Sequence, residues 1–188
     1  MRPIVAFQGE TGAFSEAAAA RLVEGDIMLL PSRTFDAAVR AVVDGHADFA
    51  VIPVHNLIAG PVHAALDAMA PFASLERVRE LDLPIHLALL GIVGATAGGV
   101  REVLSHPVAL KQCGRYLAAH PAVTAVEAAD TAGAARMVAI RRDPTVAAIA
   151  APWAAKHYGL VILAEGLEDR ADNATTFALI RRKSQVPL

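Results

Sequence analysis

One cysteine, Cys113, is all the thiol that 188 residues provide, which excludes an internal disulfide framework and any cysteine-cluster metal site. The chain also lacks a block of one charge. Its formal net charge is −2, so it carries no electrostatic footprint for nucleic acid, and the short basic run Arg181-Arg182-Lys183 reads as a solvated end. Charged residues are scarce at 19% against 55% hydrophobic, a balance that excludes a disordered chain. No long apolar region with a cleavage site follows Met1, so no signal peptide is expected. Leu83 to Val100 holds no Asp, Glu, Lys or Arg, but Pro84 and four glycines interrupt it and it falls short of the ~20 residues of a membrane span. It reads instead as a buried strand, Ile85 to Val93, followed by a flexible turn. The expectation is a soluble cytoplasmic protein with no membrane and no nucleic-acid partner.

Strand and helix signals alternate along the chain. Ile4 to Phe7 is a short apolar run closed by Gly9, Thr11 and Gly12, and an alanine-rich helix follows from about Ser15 to Val23. Thr34 is a candidate N-cap for a helix with Phe35, Ala38, Val39, Val42 and Val43 on its apolar face. Phe49 to Val54 is a strand, and Val62, Ala65, Leu66 and Met69 form a helical stripe. In the second half, Ser105 reads as the cap of a helix opened by Pro107, Thr131 caps a helix through Val138, and Thr145 to Ala150 is a strand. A last strand spans about 175–182. Alternation of this kind predicts α/β layers with mostly parallel sheets. The strand groups divide the chain into a discontinuous lobe of 1–82 plus 166–188 and a second lobe of 83–165, with a cleft expected between them.

Three polar segments stand at strand ends. Asn173-Ala174-Thr175-Thr176-Phe177 puts a carboxamide and two hydroxyls where a loop becomes a strand, either as neutral donors for a ligand or as turn caps. His55-Asn56 follows the strand at 49–54, and Asn56 either holds a turn or meets a ligand. Gly9 to Ser15 joins a strand to a helix N-terminus, as an anion site or as a plain capped turn; it lacks a dinucleotide fingerprint and the Lys of a P-loop.

Taken in order, Ala6-Phe7-Gln8-Gly9-Glu10-Thr11-Gly12-Ala13-Phe14-Ser15-Glu16, Ala50-Val51-Ile52-Pro53, Asn56, Ser105-His106-Pro107, Gln112-Cys113, Asp130-Thr131-Ala132, Tyr158-Gly159-Leu160 and Asn173-Ala174-Thr175-Thr176-Phe177 resemble the prephenate dehydratase family over essentially the whole chain. The resemblance implies two α/β lobes like the type II periplasmic binding proteins, conversion of prephenate to phenylpyruvate, no cofactor and no metal, and a homodimer. It places Thr175 as the catalytic hydroxyl, with Asn56, Ser105, Gln112, Thr131, Thr176, Phe177 and His55 as substrate-binding positions. Relatives with a prephenate decarboxylase or arogenate-using activity, or a non-catalytic ligand-binding module, are the rival expectations. The chain stops at Leu188, so no C-terminal amino-acid-sensing domain is expected. Where the family has Arg, this chain has Thr176, and where it has Glu, His55. If the Arg contacts a substrate carboxylate, its loss removes roughly 1.5–3 kcal/mol, with protonated His55 as a candidate replacement.

Overall fold

The computed structural model describes residues 2–183 and resolves two units, each built on one sheet. Met1 and residues 184–188, which the sequence assigns to the first lobe, lie outside the described residues. The first unit takes the segment ending at Gly9, Phe14–Leu83 and the segment from Ala174; the second takes Glu10–Ala13 and Pro84–Asn173. Residues 10–13 and 166–173 thus group with the second unit.

The first unit contains strands β1 (Ile4–Gln8), β2 (Met28–Ser32), β3 (Phe49–Asn56), β4 (Gly60–Pro61), β5 (Leu75–Pro84) and, from the end of the chain, β11 (Ala174–Arg182). Their order is β2-β1-β3-β11-β5, with β4 paired to β3. β1 runs parallel to β2 and β3, and β11 returns antiparallel to β3. The parallel strands expected from the alternating pattern form one flank, and an antiparallel flank completes the sheet. Helix α1 (Phe14–Leu22) buries Ala18, Ala19 and Leu22 with Val5, Val51, Leu83, Phe177 and Leu179. Helices α2 (Phe35–Val43) and α3 (His63–Met69) cover the opposite face through Ala38, Val39, Val42 and Ala65, packed with Ala50, Ile52, Ala178 and Ile180. Burying such a Val or Ile contributes ~1.5–3 kcal/mol over leaving it in water. Thr34 caps α2 as expected, its hydroxyl accepting from Ala37 N at 3.1 Å.

The second unit has β6 (Ala88–Gly91), β7 (Glu102–Ser105), β8 (Thr124–Glu127), β9 (Val146–Ala150) and β10 (Val161–Ala164) in the order β10-β6-β9-β7-β8. β7 lies parallel to β8 and β9, while β6 is antiparallel to β9 and β10. β9 is buried throughout, as a continuous apolar run in a central strand must be. Helices α4 (Pro107–Gln112), α5 (Gly114–Ala119), α6 (Thr131–Arg141) and α7 (Ala154–Tyr158) belong to this unit. Among them α6 and α7 supply Ala134, Ala135, Val138, Ala154 and Ala155 to its core. The buried strand expected over 85–93 is shorter than its apolar run, because Pro84 still belongs to β5 and Ile85 N is tied to Asn173 O at 2.9 Å. Among the described residues no helix is long and apolar enough to cross a membrane.

Two expected caps shift by one residue. Ser105 ends β7, and His106 caps α4 by accepting from Val108 N through Nδ1 at 3.2 Å. Thr131 is already helical, and Asp130, extended at φ −156°, caps α6 by accepting from Gly133 N at 2.7 Å. At the other end of α6, Arg142 sits in the left-handed region with φ 51°. A β-carbon there crowds the following carbonyl at a cost of about 1–2 kcal/mol that glycine escapes. Arg142→Gly is therefore expected to raise the urea unfolding midpoint, equivalent to about 1 kcal/mol.

Residues 166–173 are held to the second unit by specific bonds. Leu167 N donates to Leu87 O at 3.0 Å, and Glu168 accepts from Leu87 N at 2.9 Å while its other oxygen lies 2.9 Å from His86 Nδ1. Asp169 N donates to Gln112 O at 2.7 Å, and its carboxylate accepts from Arg115 N at 2.9 Å in the first turn of α5. Burial pushes the Glu168 carboxyl up, but the His86 and Leu87 bonds outweigh it and hold the group below its ordinary range. A carboxyl lowered on folding stabilises the fold above its unfolded value, and that stability is lost as pH falls through the folded value. The expected result is a urea midpoint that drops as pH is taken below about 4.3, with a shallower drop in Glu168→Gln.

Candidate functional site

The start of β11 meets the end of β3 in a register that pairs Thr175 with Asn56 and Thr176 with His55. One step further Phe177 pairs with Pro53, so Val54 is skipped. The slip changes which face the strand end presents. Asn56 Nδ2 donates to Thr175 Oγ1 at 2.8 Å and to Ala174 O at 3.1 Å. Its Oδ1 accepts from Ile58 N at 3.0 Å and Ala59 N at 2.9 Å. The two readings of Asn56 therefore merge: it holds the turn and, through the same amide, the Thr175 hydroxyl. Thr175 and Asn56 are each 8% exposed. Because Thr175 Oγ1 accepts from the amide, its own proton is directed away from Asn56, toward whatever acceptor approaches.

Thr176 and His55 lie on the other face. Thr176 Oγ1 donates to Asp82 Oδ1 of β5 at 2.5 Å. Asp82 alternates with Leu81 and Leu83, which pack in the α1-side cluster together with Phe177. His55 is exposed. Phe177, 2% exposed, is locked in that same cluster. The structure brings Thr175 and Asn56 together, while Thr176 bonds to Asp82, His55 is exposed and Phe177 is buried in the α1-side cluster. The charge exchange expected between His55 and Thr176 joins two cross-strand neighbours, but outside the Thr175 face.

In the second unit Ser105 and Thr131 lie just where the parallel strands β7 and β8 end, the edge at which α/β sheets offer ligand groups. Ser105 closes β7, 0% exposed, its hydroxyl donating to Ile149 O at 2.6 Å, which ties β7 to β9. Gln112 ends α4 and Thr131 begins α6, both half-buried. His106, the N-cap of α4, is half-buried as well. Burial lowers its pKa against the opposing fields of Asp130 and Glu127, consistent with the bare Nδ1 that its capping bond requires. Cys113 is buried and its thiol is pushed up to about 12 by burial and by Glu168 and Asp169, so it is no nucleophile.

Sequence reasoning missed the anchors of the Gly9–Ser15 loop. Tyr158 OH donates to Thr11 O at 2.6 Å, Trp153 Nε1 to Gly12 O at 3.0 Å, and Arg136 lies 3.4 Å from Glu10. Gly12, at φ +89°, has Ala154 3.4 Å from where a β-carbon would stand, so a left-handed turn and a close approach coincide. The signal lay in the chain's only Trp, but its partner is 141 residues away. Asp82 was missed as well, inside a charged strand.

The family model of prephenate dehydratase matches residues 5–185. The chain is 39% identical over 184 residues to arogenate dehydratase 1 of Petunia hybrida, covering 97% of this chain and 43% of that protein. It is 38% identical over 179 residues to a prephenate dehydratase of Amycolatopsis methanolica, covering 95% of this chain and 58% of that one. The crystal structure of a prephenate dehydratase from Arthrobacter aurescens in complex with L-Phe is 32% identical, with a TM-score of 0.88 over 98% of this chain and 62% of that chain. The chain spans about half the length of the curated relatives it matches. A strand-end threonine fixed by a strand-end asparagine, two mixed α/β sheets and a match over nearly every residue lead to one assignment: the chain belongs to the prephenate dehydratase family.

Proposed function

We propose that the protein converts prephenate to phenylpyruvate. In that reaction the bond from the ring to its carboxylate breaks and CO₂ leaves. The released electron pair enters the ring, and the para C–O bond breaks to expel hydroxide, which leaves as water after gaining one proton from solvent. Aromatisation supplies much of the driving force, so the protein's task is to hold two carboxylates and to stabilise the charge on the departing oxygen. Threonine is too weak an acid to surrender its proton outright. Thr175 instead offers a hydrogen bond that strengthens as charge develops, and the Asn56 amide, donating into Thr175 Oγ1, polarises that O–H further. The Asn56–Thr175 pair at 2.8 Å is the observation that carries the reading.

Gln112 and Thr131 are our proposed substrate-orienting positions on the second unit, with Ser105 tying β7 to β9 and His106 capping the helix that ends at Gln112. The arogenate-using activity named for the Petunia relative is the second reading. Incubation of purified protein with prephenate and, separately, with arogenate at neutral pH, against protein-free blanks, tests both. Phenylpyruvate supports the proposal, and phenylalanine formed from arogenate but nothing from prephenate supports the second reading. A non-aromatic dihydro product indicates decarboxylation alone, and no turnover of either prephenate or arogenate overturns the enzyme reading. The family resemblance also supports a cytoplasmic homodimer, which light scattering on the purified chain would show as twice the 19.6 kDa mass.

A further inference from the structure

We infer that Asp82 and Thr176 form a second clamp on β11 and act as positioning residues for Thr175; the inference rests on the dehydratase reading above. β11 lies between β3 and β5. At its start, consecutive threonines are held by its two neighbours in opposite senses. Thr175 is taken on one face by Asn56 of β3, and Thr176 on the other by Asp82 of β5. The second bond is charge-assisted, a hydroxyl on a carboxylate at 2.5 Å.

The place matters because the β3–β11 register slips just beyond this point, with Val54 left over between the pairs Thr176–His55 and Phe177–Pro53. A bulge of this kind disrupts the ladder locally and increases the twist between the strands, and a change in that twist would carry the Thr175 hydroxyl away from its acceptor. The Asp82 bond opposes that change from the side that Asn56 does not reach. Leu81, Leu83 and Phe177 fix the deeper part of the same two strands in the α1-side cluster. Rigid support of this kind separates a group that is merely present from one that is aimed.

Thr176→Val keeps the side-chain shape and removes the hydroxyl. With prephenate it is expected to lower kcat about tenfold while KM stays within about twofold. Thr176→Ser, which restores the hydroxyl, is expected to recover most of the rate, and Asp82→Ala to match Thr176→Val. In a Thr175→Ala background, Thr176→Val should change nothing further, because its effect passes through a hydroxyl already gone. An equal loss in both backgrounds, or a loss that Ser does not recover, would overturn the clamp.

A second readout does not depend on turnover. In protein labelled at threonine methyls, Thr176→Val and Asp82→Ala should shift the Thr175 resonance and leave that of Thr145 in place. If prephenate is not consumed by the parent protein, the dehydratase reading falls and the methyl spectrum still decides the clamp: an unmoved Thr175 resonance rejects it.

Discussion

Thr175→Ala is expected to lower kcat for prephenate by about 10²–10³-fold, the usual cost of removing one donor aimed at a developing negative charge. KM should move little, because a bond that strengthens only as the C–O bond breaks adds little to ground-state binding. Thr175 is 8% exposed, and its hydroxyl receives the Asn56 amide at 2.8 Å and has its proton turned outward from that bond. A water occupying the space left by the methyl and hydroxyl would restore some donation without the polarising amide behind it, so the loss falls short of complete. Circular dichroism should show an unchanged fold, since β11 keeps its pairing with β3 whatever stands at position 175.

Asn56 is the second large effect, and two substitutions separate its two duties. Asn56→Ala removes its side-chain bonds to Ala174, Thr175, Ile58 and Ala59. Ala174 O still accepts from Leu57 N at 2.9 Å, and the turn amides of the exposed residues Ile58 and Ala59 can reach water. The expected outcome is a kcat about 10–100-fold lower together with a loss of about 1–3 kcal/mol in stability. Asn56→Asp is more telling. Its carboxylate can still accept from Ile58 N and Ala59 N, so the turn survives, but it has no donor for Thr175. The Thr175 proton is then drawn back onto the carboxylate and away from substrate. Kinetics should show Asn56→Asp at least as slow as Asn56→Ala while its unfolding midpoint stays nearer the parent's.

Much of this arrangement was legible in the chain itself. The strand over Ala174–Arg182 and the Thr34 cap follow from apolar runs and a residue type suited to its place. The family is written in ordered short motifs, and Thr175 with Asn56 stood out as hydrogen-bonding residues at strand ends. Other features depend on backbone geometry that residue types do not encode. Ser105 and Thr131 are good capping residues one position away from caps actually supplied by His106 and Asp130, because the cap is the residue whose backbone is still extended when the helix begins.

β5 went unassigned because Glu76, Arg77, Arg79, Glu80 and Asp82 make it read as a solvated stretch. Charge is what an edge strand uses to avoid pairing with strangers, and β5 closes its sheet. The orientation of Thr176 was hidden for a different reason. Sequence adjacency to Thr175 suggested a shared task, whereas strand alternation and the slip at Val54 send the two hydroxyls to opposite faces. In place of the missing Arg, Thr176 bonds to Asp82.

The account stands on hydrogen-bond donation from one side chain, and the comparison of Thr175→Ser with Thr175→Val in a single-turnover assay at neutral pH measures that most directly. Serine keeps the hydroxyl and valine keeps the shape. Serine is predicted to form phenylpyruvate within about tenfold of the parent rate, and valine to fall about 10²-fold or more below it. Equal rates for the two variants would contradict the account.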